Sequence, residues 1–155
     1  MRSLTLILFL VGCSITAYNQ SSVNEFYQKY KSQENASETE QIKWLNKLIP
    51  KEIRNSELRT LLADPNKVQI IVLESTQVQP ADLKQLRKQA NSEELDLLIR
   101  AKDQGERLDL FARASDGYIR QVLYLVEEDD NFVFLNLSGK WTFKDFMGKD
   151  RREAY

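Results

Sequence analysis

LDLLIRAK (95–102), RLDLFARA (107–114), YIRQVLYLVEE (118–128) and NFVFLNLS (131–138) are the stretch that decides the fold. Each run is rich in β-branched, aromatic and leucine residues, and the runs are parted by DQGE, SDG and an acidic turn around 128–130. Short runs of this kind between turn residues predict an antiparallel meander of four strands. Asp116-Gly117 supplies the positive backbone angles of a tight hairpin, and Gly105 serves the connection before it.

Period-two alternation assigns the faces of the predicted sheet. Leu95, Leu97, Ile99 and Ala101 alternate with Asp96, Leu98, Arg100 and Lys102, and Leu108, Leu110 and Ala112 alternate with Arg107, Asp109, Phe111 and Arg113. One face is plainly apolar. The other collects Leu98, Phe111, Tyr124, Phe132 and Phe134, more apolar surface than free exposure to water favours. These five residues form a candidate binding face, to be covered by a terminal helix, a partner protein or a bound apolar ligand.

Working outward, VQIIVLES (68–75) is a continuous apolar run, the pattern of a strand buried on both faces, and it is expected inside the sheet rather than at an edge. Before it, Ser22 can cap a helix with Val23, Phe26, Tyr27 and Tyr30 at i, i+3, i+4 and i+7, a stripe suited to docking on the sheet. Residues 31–41 are polar and fit a loop or a weak edge strand. Ile42, Trp44, Leu45, Leu48 and Ile49 make a helical face closed by Pro50, and Leu58, Leu61 and Leu62 mark another helix ending at Asp64-Pro65-Asn66. Pro80 opens a helix to about Ala90 with Leu83 and Leu86 inward and Lys84, Arg87 and Lys88 outward as a solvated face. After the meander, Thr142 and Asp145 stand at capping-box spacing, so a short helix should begin at Phe143 with Phe143, Phe146 and Met147 inward.

The fold class expected is therefore α+β: an antiparallel sheet of about five strands packed against helices from the first half and a short C-terminal helix. The expected division is a signal peptide over 1–12, a tether over 13–22, one domain over 23–148 and a frayed tail over 149–155.

The signal peptide rests on MRSLTLILFLVGC (1–13). A positive charge at Arg2 precedes a largely apolar run from Leu4 to Val11, about 12 Å of helix, too short to span a bilayer but suited to an export signal. Leu10-Val11-Gly12-Cys13 resembles the bacterial lipobox, in which the cysteine is acylated after cleavage and anchors the chain to the membrane. The alternative is a soluble periplasmic protein cut near residues 17–20.

Composition narrows the chemistry. The chain has 155 residues, no histidine, one cysteine, and 22 basic against 23 acidic side chains. Without histidine, self-contained Ser-His, Cys-His and the usual zinc sites are excluded, and a lone cysteine in the leader forms no intrachain disulfide. No run of five or six basic residues offers a nucleic-acid footprint. The four carboxylates of residues 127–130 lack the spaced ligands of a calcium loop and read as a solvated turn. Neither catalytic residues, a metal nor a cofactor is expected.

Residues 94–147, ELDLLIRAKDQGERLDLFARASDGYIRQVLYLVEEDDNFVFLNLSGKWTFKDFM, resemble the closing half of a bacterial envelope family, domain of unknown function 4252. VNEFYQKY (23–30) is similar to that family's opening F-x-x-Y helix, whereas 34–41 lacks the apolar strand its pattern places next. The resemblance implies this fold and an export signal, often of the lipoprotein type, and brings no catalytic residues. The function expected is a non-enzymatic binding or scaffold domain on the envelope. A carrier enclosing an apolar ligand between the sheet and Tyr27, Tyr30 and Trp44 is the alternative, and a carboxylate-dependent hydrolase a remote one.

Overall fold

The computed structural model describes residues 21–49, 68–93 and 95–144. In chain order these form α1 (Ser22–Tyr30), a 3-10 turn (Lys31–Gln33), α2 (Glu38–Leu48), β1 (Val68–Glu74), a second 3-10 turn (Ser75–Gln77), α3 (Pro80–Ser92), β2 (Asp96–Asp103), β3 (Glu106–Ser115), β4 (Tyr118–Glu127) and β5 (Asn131–Trp141). The α+β class and the four-strand meander are as expected. The helix anticipated around 55–62 lies outside the described residues.

All neighbours in the sheet are antiparallel, in the order β1-β5-β4-β3-β2. Two-residue turns close β2–β3 and β3–β4. Gln104 and Gly105 take φ of 44° and 90°, Asp116 and Gly117 take 55° and 77°, the double positive φ that matches strand twist. β1 is thus an edge strand, not an interior one. A continuous apolar run reports burial on both faces, and Ile71 and Leu73 on one side and Val72 on the other are indeed buried. It does not report how many neighbours the strand pairs with. The free edge is protected instead by a side chain, since the Val72 N–H donates to Glu34 Oε1 at 2.8 Å.

Two bulges decide which residues share a face. In β2 the register passes from Leu97↔Phe111 to Ile99↔Leu110, leaving Leu98 unpaired, and in β4 Arg120 is the extra residue against β3. Phe111, Phe132 and Phe134 therefore join Leu123 and Leu125 on the α1/α3 face, whereas Tyr124 lies with Leu110 and Leu135 on the α2 face. Alternation carried through Arg120 without a bulge would put Phe111 with Tyr124, whereas Phe132 and Phe134 are parted from Tyr124 by the β4–β5 register, which pairs Tyr124 with Leu135 and Leu125 with Phe134.

The α1/α3 face holds the larger cluster. Ser21 caps α1 by accepting from the Asn24 N–H at 3.2 Å, and Val23, Phe26 and Tyr30 are buried at the spacing that docks one helical stripe. The Phe26 ring stacks on Phe134 at 5.4 Å and meets Phe132 edge-on at 5.8 Å. α3 adds Leu83, Leu86 and Ala90, and α1 is tied to it at both ends. At one end Tyr30 donates its hydroxyl to Asp82 and accepts from the Gln79 N–H. At the other, the backbone N–H and hydroxyl of Ser22 both donate to Glu93 Oε1.

Residues 34–41 form no strand. Ser37 and Glu40 make a reciprocal capping box that starts α2, the S-x-x-E pattern being present in the sequence. Leu45 and Ile49 are buried against the second face, while Ile42, expected inward, is 44% exposed. Phe143 and Lys144 are helical as anticipated, but Phe143 is 52% exposed rather than inward; Phe146 and Met147 lie outside the described residues.

Phe134, fully buried and in contact with two α1 rings, is where helix and sheet join. Phe134→Ala should lower unfolding free energy by about 3–5 kcal/mol in urea titration. A loss below about 1 kcal/mol would show that α1 does not depend on this contact.

Candidate functional site

Alternation along β3 carries Arg107, Asp109 and Phe111 to the α1/α3 face, and the register Arg100↔Asp109 and Lys102↔Arg107 brings two β2 cations alongside. α3 supplies a third partner from above. Leu83, Leu86 and Ala90 point inward, and Arg87, four residues after Leu83, falls within that stripe. It does not join Lys84 and Lys88 on the solvated side.

The result is a buried carboxylate held by three guanidinium groups. Asp109 Oδ2 accepts from Arg87 Nε at 2.7 Å and Arg107 Nε at 3.0 Å, and Oδ1 accepts from Arg100 Nε at 2.7 Å. Arg87 Nη2 reaches on to Glu127 Oε2 at 2.5 Å. The Asp109 side chain is 0% exposed, against 15% for Arg87, 31% for Arg107 and 49% for Arg100. Burial alone would push the carboxyl pKa up. The hydrogen bonds from Arg100 and Arg87 and the charges of Arg87 and Arg107 outweigh it and hold the group below its ordinary 3.8. A carboxylate so committed is a poor proton acceptor at neutral pH and serves to position cations.

Arg100 and Arg107 each engage Asp109 through Nε only. Both side chains are only partly buried, and Lys102 lies directly across the strands from Arg107. Beside them lies a cavity of about 390 Å³ at the β2–β3 turn. Lys102 and Arg107 line one part, Glu127, Glu128 and Asp129 another, and Val78, Leu83 and Phe132 lie between, with Ser75 and Gly105 completing the lining. Among the described residues, no cluster of three or more His, Cys, Asp or Glu is placed to hold a metal, and no helix is long and apolar enough to cross a membrane.

The residues expected as a binding face are distributed differently. Phe111, Phe132 and Phe134 are sealed beneath α1 and α3, Tyr124 is buried on the opposite face, and Leu98 is 37% exposed in the β2 bulge. Cys13 lies outside the described residues. The Arg87–Asp109 centre was missed, although the place of Arg87 in an apolar i, i+3, i+4, i+7 stripe was a usable signal.

A family model described as Domain of unknown function (DUF4252) matches residues 30–148, most of the chain, and the chain belongs to that family. The match reaches well upstream of the meander and begins at the last residue of α1. No curated protein and no solved structure matches the chain.

The ion cluster predicts an acid-labile stability. Because the folded Asp109 holds its proton less tightly than the unfolded one, acidification protonates the unfolded chain first. The contribution is complete above about pH 3.8 and is lost as pH falls through the depressed folded value. Asp109→Asn, which leaves Arg100 and Arg107 facing a neutral partner and Arg87 with Glu127 as its one anion, should cost about 3–5 kcal/mol at pH 7, and the gap from wild type should narrow as pH falls through the depressed folded value. A pH-independent gap in denaturant titration would refute this account.

Proposed function

We propose that this member of the DUF4252 family is an exported, lipid-anchored envelope protein whose folded part is a non-enzymatic binding or scaffold domain. One observation carries the binding part. The charged groups around Asp109 are ion-paired, while Lys102 and Asp129, which form no ion pair among the described residues, line one open cavity together with Arg107. An enzyme working on carboxylates needs one of raised pKa or a pair converging on substrate. Asp109 is instead held ionised and Glu127 is bridged by Arg87.

The leader supports the anchor. An arginine, a short apolar run and Leu10-Val11-Gly12-Cys13 stand in the order that precedes acylation, at about 0.8 kcal/mol of membrane affinity per buried methylene. The chain then enters the domain at Ser21, which caps α1, and Ser22, which is bonded to Glu93, so residues 14–20 would tether it within about 25 Å of the bilayer. The carrier alternative is less well supported, because Tyr30 is buried and Tyr27 and Trp44 pack on core clusters, so an apolar ligand would have to displace them.

Mass measurement of the mature N-terminus from host membranes tests the anchor. The expected product begins at an acylated Cys13, and Cys13→Ala should move the protein to the soluble fraction. An unmodified terminus near residues 18–21 would make the protein soluble and periplasmic.

A further inference from the structure

We propose that the cavity at the β2–β3 turn binds a small zwitterion of the amino-acid type, with a carboxylate and an ammonium flanking an aliphatic body. This names a ligand class for the binding domain proposed above and rests on that proposal.

The basic side is built for an anion. Lys102 and Arg107 occupy directly opposed positions of an antiparallel pair, where like charges destabilise the sheet. Arg107, held by its Nε–Asp109 bond, lines the cavity, and Lys102 beside it makes no ion pair among the described residues. An entering carboxylate would relieve the repulsion and accept from both. The arrangement survives because Asp109 holds Arg107 from beneath.

The acidic side is equally specific. Glu127 is bridged to Arg87 and Glu128 to Lys47, which leaves Asp129 as the unpaired carboxylate on that wall. Its Oδ1 would lie 2.8 Å from a Cβ at residue 105, so only Gly105 admits the carboxylate this close to the turn. Asp129 forms no ion pair with Lys102 or Arg107 although all three line one cavity. A simple anion would meet Asp129, and a simple cation would meet Lys102 and Arg107. A zwitterion satisfies both walls, and the edges of Val78, Leu83 and Phe132 suit an aliphatic group between them.

NMR titration of the full mature protein with leucine and leucyl-leucine, each against its N-acetyl and its amide form, tests the proposal. At about 10 mM, enough to fill most of a site of millimolar affinity, at least one zwitterion should shift amides of residues 102–107 and 127–132. Capping either end should weaken binding at least tenfold. Lys102→Gln should abolish the penalty for the missing carboxylate, and Asp129→Asn the penalty for the missing ammonium. Both residues are exposed and form no ion pair among the described residues, so these variants should fold. No shift with either zwitterion, equal binding of capped forms, or indifference to both substitutions overturns the proposal. The anchor is judged separately by the mass of the N-terminus, so an acylated Cys13 with no ligand shift removes the zwitterion alone.

Discussion

A charged group without access to water must find its compensation within the protein, and Asp109 is the place where this fold meets that demand. Its two oxygens bind the neighbouring strand through Arg100, its own strand through Arg107 and the crossing helix through Arg87, which continues to β4 through Glu127. β2 is the outer strand on that side, with a single neighbour. Three ion pairs at one centre thus hold an edge strand and the helix between β1 and β2 to the middle of the sheet. Such a centre contributes little net stability compared with an apolar replacement of the same shape. What it contributes is geometry, because only one placement of α3 lets Arg87 reach both carboxylates.

The rest of the core is ordinary burial on two faces, and this constrains where function can be. Phe111, Phe132 and Phe134 are covered by α1 and α3, and Leu110, Tyr124, Leu135 and Leu137 cluster with Leu45 and Ile49 of α2. A ligand seeking an open apolar face at these residues would have to remove a helix. Polar groups show the same economy: Asn136 receives from Gln121 and donates to Gln69, which donates to Asn24, so an amide row on the sheet ends at α1. At the turn where β2 meets β3, by contrast, charged side chains of both signs line one open cavity.

Much of this was legible from the residues alone, for definite reasons. Strands 95–138 announce themselves because period two and the residues at Gly105 and Asp116-Gly117 agree. Face assignment failed because an extra residue in a strand changes neither composition nor length detectably, yet reverses everything after it. The position of β1 was illegible because an edge strand covered on both faces has the same composition as a central one. The polarity of Ser37-Glu38-Thr39-Glu40 suggests a loop, whereas its S-x-x-E spacing is that of a helix start. The charge of Arg87 points to the solvated face, whereas its phase with Leu83, Leu86 and Ala90 points inward to Asp109.

The bulge at Leu98 links fold to site. Had the alternation of Leu95 and Leu97 continued unbroken, Ile99 and Ala101 would have faced α3, and Arg100 and Lys102 would have pointed to the apolar cluster of Leu108 and Leu110. Inserting one residue sends Ile99 into that cluster and turns Arg100 and Lys102 toward Asp109 and Arg107. The same residue disrupts an otherwise regular edge, which discourages pairing with another chain. A strand whose sequence mixes leucines with basic residues can therefore serve the core with its first half and build the basic wall of a cavity with its second. The charge of that wall follows from register, and register follows from a single inserted leucine.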